Sequence, residues 1–204
     1  MSSQAHWDHI YETKSQEETS WYAPHLQLSL DWIEEAAPDR PSEIIDVGGG
    51  RSTLVDDLLG HQYRAITVLD ISNAALERSQ KRLDQRTKDI RWLVGDVTAI
   101  ELPASHYDVW HDRAVFHFLT EAPRRKSYVD QVSASLKPGG HLIIATFGPE
   151  GPLRCSGLPT MRYDAAALQA EFGPCFRLGK SSLVEHETPF GTRQQFLYCD
   201  FVFG

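Results

Sequence analysis

Three acidic residues stand where the strands of a parallel sheet would end. Asp46 lies just before three consecutive glycines that start at Gly48, and Asp70 and Asp96 each follow a later apolar run. At the carboxyl edge of a sheet, Asp46 would face a cationic amine. An acid about 20 residues beyond a glycine turn accepts hydrogen bonds from ribose hydroxyls, which suits Asp70. Asp96 would meet an adenine amino group. Each acid alone could instead cap a helix.

The glycines themselves favour a ligand with phosphate-like or nucleoside-like parts. Gly48, Gly49 and Gly50 separate a strand-like run from a helix-like run, where backbone N–H groups are exposed and a ligand can come close. The dinucleotide fingerprint requires a final glycine or alanine, but Thr53 occupies that position. No GK[ST] follows, which excludes a Walker loop. The alternative is a strained turn without a ligand.

Short apolar runs alternate with helical patterns along most of the chain, which predicts parallel strands with helices on both faces. The expected strands are 43–47, 65–69, 90–94, 107–111 and 141–147, and the expected helices are 53–60, 73–85 and 122–136. Lys137, Pro138, Gly139 and Gly140 predict a turn before the fifth strand. A short helix at 164–171 and a hairpin of 176–187 with 193–203 should follow.

The predicted fold is therefore an α/β, doubly wound, Rossmann-like sheet of seven strands that ends in an antiparallel hairpin. Residues 1–35 would form a small helical cap, whose amphipathic helix carries Leu26, Leu30 and Ile33, and residues 36–204 the main domain.

Charge and composition restrict the partners and the compartment. Lysine and arginine minus aspartate and glutamate give 20 − 28 = −8. The sequence has no basic patch, so nucleic acid and membrane surfaces are not expected partners. No stretch approaches the ~20 apolar residues of a membrane span. Cys155, Cys175 and Cys199 form no CxxC pair, which favours a reducing cytoplasm and no disulfide framework. No His or Cys spacing predicts a metal site.

Together these segments resemble the class I S-adenosylmethionine-dependent methyltransferases over nearly the whole chain. The resemblance is carried by the segments 46–50, Asp70, Asp96, 107–112 and 136–140. It implies S-adenosyl-L-methionine as cofactor, with Gly48 and Gly50 at the methionine part. It implies Asp70 at the ribose, and Asp96 with Val97 at the adenine. Gly49, Ile71 and His111 complete the expected cofactor contacts. Ser52 stands where the family usually has a third glycine.

The N-terminal segment resembles a narrower group, the lysine methyltransferases of elongation factor and citrate synthase and their bacterial relatives. The residues that carry this likeness run from His6 to Tyr11 and from Ser20 to Tyr22. By resemblance, Trp7, Tyr11 and Trp21 belong to a lid that closes over the cofactor. Alternatively, these rings only pack the cap onto the sheet.

If the reaction is methyl transfer, the acceptor should approach the carboxyl edge of the first and fourth strands. That places His111, Asp112, Arg113, Phe116 and His117 nearest the reacting methyl group. Asp112 or His117 could act as general base, and Arg113 could hold a carboxylate. Alternatively, Asp112 caps a helix and pairs with Arg113, and His117 is a core histidine.

The acceptor is expected to be a small molecule, because the chain carries no large recognition domain. The family members that methylate an adenine or glutamine amino group have an Asn/Asp-Pro-Pro-Tyr/Phe run at residues 111–114, which is absent here. A loop after the fifth strand could roof the acceptor pocket, where Arg154 and Arg162 would suit a small anion and Cys155 stands nearby. A protein lysine is the alternative acceptor, and a cofactor-binding regulator without turnover is the alternative of another class.

Overall fold

The computed structural model describes residues 3–204, so Met1 and Ser2 of the predicted cap lie outside the described residues. The helices are α1 Ser3–Thr13, α2 Gln27–Ala36, α3 Leu54–Gly60, α4 Asn73–Leu83, α5 Ala122–Ser135 and α6 Ala165–Phe172. The strands are β1 Ile44–Val47, β2 Ile66–Asp70, β3 Ile90–Val94, β4 Tyr107–Arg113, β5 Leu136–Phe147, β6 Arg154–Cys155, β7 Leu158–Pro159, β8 Phe176–Glu187 and β9 Arg193–Phe203. None of the helices is long and apolar enough to cross a membrane.

Seven of the strands form one sheet in the order β3-β2-β1-β4-β5-β9-β8. Strands β1 to β5 pair in parallel, whereas β9 runs antiparallel to both β5 and β8. This confirms the predicted doubly wound sheet with a terminal hairpin. The order in which the strands are added to the sheet switches sides between β1 and β4, so the crevice for a ligand lies above the carboxyl ends of these two parallel strands.

Apolar side chains on both faces of the sheet explain why these elements assemble. On one face, Ile33 of α2 and Leu58 of α3 pack with Ile44 of β1. On the other, Tyr128 of α5 and Leu168 of α6 pack in the cluster that contains Ile144 of β5 and its neighbours. A strand that is buried on both faces reads as a continuous apolar run, and this is the pattern of β1 and β2.

The structure corrects the predicted boundaries at two places. Strand β5 already begins at Leu136, so the predicted turn at 137–140 lies inside a strand, where the pairing with β4 shifts register. Gly139 takes φ +81° there, which explains why the segment resembles a turn. Helix α4 ends at Leu83, and a 3₁₀ turn at Asp84–Asp89 follows.

Candidate active site

A cavity of about 330 Å³ opens at the carboxyl edge of β1, β2, β3 and β4. Its walls come from the strand ends, from α1 and the segment after it, and from the β6–β7 hairpin. Of the predicted cofactor contacts, the cavity is lined by Trp7, Tyr11, Trp21, Gly48, Asp70, Ile71, Asp96 and Val97. A smaller cavity of about 50 Å³ adjoins it, and Asp46, Gly49 and His111 lie there. Gly50 lines neither.

The glycine turn is tightly enclosed by neighbouring side chains. A Cβ at Gly48, whose φ is +71°, would lie 2.1 Å from a methyl carbon of Val115. A Cβ at Gly50, with φ +31°, would lie 2.7 Å from a carboxylate oxygen of Asp70. Only glycine fits such positions without displacing the cavity wall or the acid. The turn therefore brings backbone and carboxylate to the same edge.

Asp70 ends β2 and lines the main cavity while remaining 6% exposed. Its Oδ1 accepts a hydrogen bond from the Ser72 amide at 2.8 Å. Burial raises the pKa of Asp70 to about 7, the Ser72 amide opposes that shift, and the nearby Asp46 adds to it. A buried carboxylate whose ionisation is costly gains from hydroxyl donors of a ligand, which fits the expected ribose.

Asp96 also lines the main cavity, but both of its oxygens already have protein partners. Oδ1 accepts from the Thr98 amide at 2.9 Å and from the Thr98 hydroxyl at 2.7 Å, and Oδ2 accepts from Arg124 at 2.5 Å. Burial alone would raise the pKa of Asp96, but the Thr98 hydrogen bonds and the Arg124 charge outweigh it and lower the pKa. An adenine amino group would have to share Oδ2 with Arg124.

Asp46 is held inside the sheet by a chain of hydrogen bonds. Its Oδ1 lies 2.7 Å from Nδ1 of His111, and Nε2 of His111 lies 2.9 Å from the Ser29 hydroxyl on α2. All three residues are buried, and Oδ2 of Asp46 has no partner. That oxygen remains available to an amino group. Both ring nitrogens of His111 have protein partners, so neither is free to accept a proton from an acceptor in this structure.

Asp112 does not line either cavity, contrary to its expected role as a base. The side chain is fully buried, and Oδ1 accepts from the Val115 amide at 2.9 Å. Oδ2 accepts from the Phe116 amide at 3.1 Å and the Tyr128 hydroxyl at 2.5 Å. Burial raises the pKa of Asp112 to about 6, against the opposing Tyr128 bond. Asp112 caps the turn at Phe116–Phe118, and Phe116 is likewise buried away from the cavities.

Arg113 lines both cavities and has no carboxylate partner among the ion pairs of the described residues. Its Nη1 donates to the Trp21 carbonyl at 2.9 Å, and its Cζ lies 4.6 Å from the centroid of the Phe196 ring. Its Nε is buried without a partner. The pairing with Asp112, which the sequence offered as the alternative, does not form.

His117 lines the main cavity but is not placed to act as a base. The Phe147 amide donates to Nδ1 at 3.1 Å, and the ring stacks on Phe147 at 4.2 Å between centroids. Burial, together with the charge of Arg113, lowers the pKa of His117 to about 3. The ring is therefore neutral at pH 7, and since Nδ1 accepts, Nε2 carries the proton. That Nε2 is buried and has no partner.

The N-terminal rings line the cavity and also pack on one another. Trp7 lies 5.8 Å from Trp21 and 5.1 Å from Phe118, between ring centroids. Helix α1 is fixed to the sheet by the Ser72 hydroxyl, which donates to Asp8 at 2.6 Å.

The loop after β5 contributes to the cavity, but not with its arginines. Its β6–β7 hairpin places Cys155, Leu158 and Pro159 in the lining. Arg154 is exposed and donates to the Gly157 carbonyl at 2.5 Å. Neither Arg154 nor Arg162 lines the cavity, so the expectation that they hold an anion is not met by this geometry.

Sequence reasoning missed several lining residues, among them Phe147, Phe196 and Arg124. Phe147 ends β5, Phe196 belongs to β9, and Arg124 lies on α5. Phe147 could have been found, because it closes a predicted strand at the carboxyl edge. Phe196 lies on an antiparallel strand that is distant in sequence from the other lining residues, and no local motif predicts its position at the cavity. Within the described residues, no group of three or more His, Cys, Asp or Glu side chains could hold a metal ion.

Comparison with known proteins identifies methyltransferases as the similar proteins. Residues 44–140 match a family model described as a methyltransferase domain. The chain is 26% identical to an eEF1A lysine and N-terminal methyltransferase homolog of Drosophila pseudoobscura pseudoobscura, over 69% of this chain and 22% of that protein. It is 31% identical to a malonyl-[acyl-carrier protein] O-methyltransferase of Halalkalibacterium halodurans, over 70% of this chain and 52% of that protein. The chain thus spans about half or less of these relatives.

Among solved structures, the fold is similar to 1,6-didemethyltoxoflavin-N1-methyltransferase of Burkholderia thailandensis, solved with 1,6-didemethyltoxoflavin and S-adenosylhomocysteine. The TM-score is 0.68 at 18% identity, covering 99% of this chain and 84% of that chain.

Proposed function

We propose that this protein, in which residues 44–140 match a family model described as a methyltransferase domain, is a class I S-adenosylmethionine-dependent methyltransferase that transfers a methyl group to a small-molecule acceptor. The observation that carries the proposal is the cavity of about 330 Å³, which is walled by α1, the strand ends and the β6–β7 hairpin. Pockets of this size hold small molecules. The names of the O-methyltransferase and N1-methyltransferase relatives support small acceptors in the family.

The residues at the strand edge fit the cofactor. S-Adenosylmethionine supplies an electrophilic methyl group on a sulfonium. Gly48 would lie against its methionine part, and the free Oδ2 of Asp46 would accept from its amino group. Asp70 would accept from the ribose hydroxyls, and Asp96 with Val97 would flank the adenine. The unpartnered Asp46 oxygen supports this assignment, because a buried carboxylate oxygen without a donor is costly unless a ligand supplies one.

The protein's contribution is positioning and exclusion of water rather than covalent chemistry. Of the residues expected at the reacting methyl group, none presents a free basic atom to the main cavity. His111 and Asp112 are bonded elsewhere, and His117 has only a donor left. The acceptor atom would therefore be one that is nucleophilic without a base from this set. The three cysteines are free, which supports a reducing, cytoplasmic setting.

A radiolabel experiment tests the proposal. The purified protein is incubated with methyl-labelled S-adenosylmethionine and either a small-molecule extract or a lysate freed of small molecules. We expect label in small molecules with the wild type and much less with Asp70→Ala. Label confined to a protein band would favour the lysine alternative. Binding of S-adenosylhomocysteine without any label transfer would favour the regulator.

A further inference from the structure

Arg113 places a cation in the cavity wall without a nearby carboxylate. The ion pairs of the described residues include eight of other arginines and lysines, but none of Arg113. Its guanidinium is held between the Trp21 carbonyl and the Phe196 ring, and its Nε is buried without an acceptor. A half-buried charge in a protein of net charge −8 is normally paired. The missing partner points to a ligand.

His117, which lines the same cavity, carries a second buried donor without an acceptor. Its side chain is fully buried, its Nδ1 is occupied by the Phe147 amide, and its protonated Nε2 has no acceptor on the protein. Because the pKa of His117 is lowered by burial and by Arg113, its donor remains neutral across the physiological range. Two buried N–H groups that lack acceptors call for oxygen atoms from a ligand.

None of the other titratable groups beside Arg113 forms an ion pair with its guanidinium among the described residues. Burial raises the pKa of the Cys155 thiol, which keeps it protonated. Burial lowers the pKa of His186, whose Nε2 bonds to the Ser20 carbonyl. Asp112 precedes Arg113 but is committed to the Tyr128 hydroxyl and two amides.

The rest of this end of the cavity is apolar. Phe147 and Phe196 lie 5.0 Å apart between ring centroids, and Phe118 and Leu158 also line the wall. Such walls suit a flat or aromatic body. Asp70 and Asp96, the acids of the cofactor end, belong to β2 and to the loop after β3.

We propose that Arg113 and His117 form an anion subsite, and that the methyl acceptor is a small apolar or aromatic molecule carrying a carboxylate. This inference rests on the proposed function, since it describes the acceptor of that same reaction. Arg113 would bind one carboxylate oxygen as a charged donor, and Nε2 of His117 would bind as a neutral one. A lysine acceptor is disfavoured by the same charge, because its ammonium would meet Arg113.

Calorimetry on the protein saturated with S-adenosylhomocysteine tests the subsite without turnover. The probes are benzoate, phenylacetate and trans-cinnamate, each compared with its uncharged amide. We expect at least one acid to bind about tenfold or more tightly than its amide, as for a charged hydrogen bond. Arg113→Gln should abolish that preference, and Arg113→Lys should retain part of it, because lysine keeps the charge but loses the planar fork. Affinity for S-adenosylhomocysteine should stay within about threefold in both variants, a smaller change than one charged hydrogen bond gives.

Arg177→Gln is the matched control, because it removes the same charge from an exposed position on β8 that lies outside both cavities. The subsite is refuted if no acid is preferred over its amide, or if Arg113→Gln keeps the preference. It is also refuted if Arg113→Gln loses S-adenosylhomocysteine binding instead, which would assign Arg113 to the cofactor. Wild-type protein that is folded but does not bind S-adenosylhomocysteine would reject the proposed function itself, a different outcome from failure of the subsite.

Discussion

At the scale of single residues, buried acids differ in what their hydrogen bonds leave free. Asp70 lines the cavity, whereas Asp112 directs both oxygens to the protein's own donors. Their pKa values are raised by the same cause, burial. A raised pKa alone would therefore have predicted a functional role for both carboxylates. A carboxylate can contact a ligand only if its oxygens are not already saturated by donors of the protein. A carboxylate whose oxygens are saturated in this way is a structural cap.

Affinity for S-adenosylhomocysteine should rise with pH through the pKa of Asp70, which is about 7. The ionised carboxylate accepts from hydroxyls, and the protonated form accepts less well, so we expect a gain of about tenfold from pH 6 to pH 8. Asp70→Asn should bind more weakly and with little pH dependence. Calorimetry across this range checks both. An equally steep profile in Asp70→Asn would assign the titration to another group.

The same shift has a consequence for stability with the opposite sign. The pKa of Asp70 is higher in the folded protein than its ordinary value of 3.8. The folded state therefore binds more protons between about pH 4 and 7, and the free energy of unfolding falls as pH rises through that window. Asp70→Asn should lessen this fall. Urea unfolding at pH 5 and pH 8, without ligand, measures the difference.

Asp112→Asn should lower stability more than it lowers activity. The amide cannot accept from all three donors as the carboxylate does, which should cost about 1–3 kcal/mol in the free energy of unfolding. Tyr128→Phe removes one of those donors, so the double variant should lose less than the sum of the singles. A stable Asp112→Asn protein without turnover would restore Asp112 as a base.

The sequence was sufficient to place the acids but not to orient them. Asp46, Asp70 and Asp96 reach one edge because the carboxyl ends of parallel strands meet there. On β4, side chains alternate between the faces, so Asp112 and Arg113 cannot both face the cavity. The sequence does not say which of them does. Packing by Tyr128 from α5 decides it, and that contact spans 16 residues.

At the scale of elements, the buried strands were the most predictable part. Apolar runs placed β1, β2, β3 and β4 within about two residues. The signal is strongest for β1 and β2, which are buried along their whole length. The start of β5 was missed, since Pro138 and Gly139 favour a turn in isolation while pairing with β4 extends the strand. The β6–β7 hairpin was missed because two-residue strands leave no periodic pattern.

Aromatic side chains of helix α1 form part of the cavity wall. Removing one of them should therefore reduce cofactor affinity more than it reduces the stability of the fold. Trp7 is half-buried and contacts Trp21 and Phe118. Trp7→Ala should lower affinity for S-adenosylhomocysteine about 3- to 10-fold, the loss of one or two aromatic contacts. Trp32→Ala is the control, because Trp32 packs on Tyr198 away from both cavities. It should reduce stability and leave affinity unchanged. If Trp7→Ala instead reduced stability and left the affinity unchanged, α1 would contribute to packing only.

At the scale of the whole molecule, the cavity joins elements that are far apart in the chain. Its wall includes Trp7 of α1, Asp70 of β2, Arg113 of β4 and Phe196 of β9. A ligand that touches all of these stabilises the folded chain by linkage. At a free concentration 100 times its dissociation constant, S-adenosylhomocysteine should add about 2.7 kcal/mol, or about 5–11 °C in melting temperature.

The two ligand ends should also be coupled, because α1 and Arg113 share the contact to Trp21. The Trp21 ring packs on Trp7 of α1, and the Trp21 carbonyl accepts a hydrogen bond from Arg113. We therefore expect the acid probe to bind more tightly to the S-adenosylhomocysteine-loaded protein than to the free protein. By reciprocity, the acid probe should raise the affinity for S-adenosylhomocysteine by the same factor. Trp7→Ala should reduce that factor toward one. Calorimetry of each ligand with and without the other closes the cycle, and equal affinities in both states would mean that the two ends bind independently.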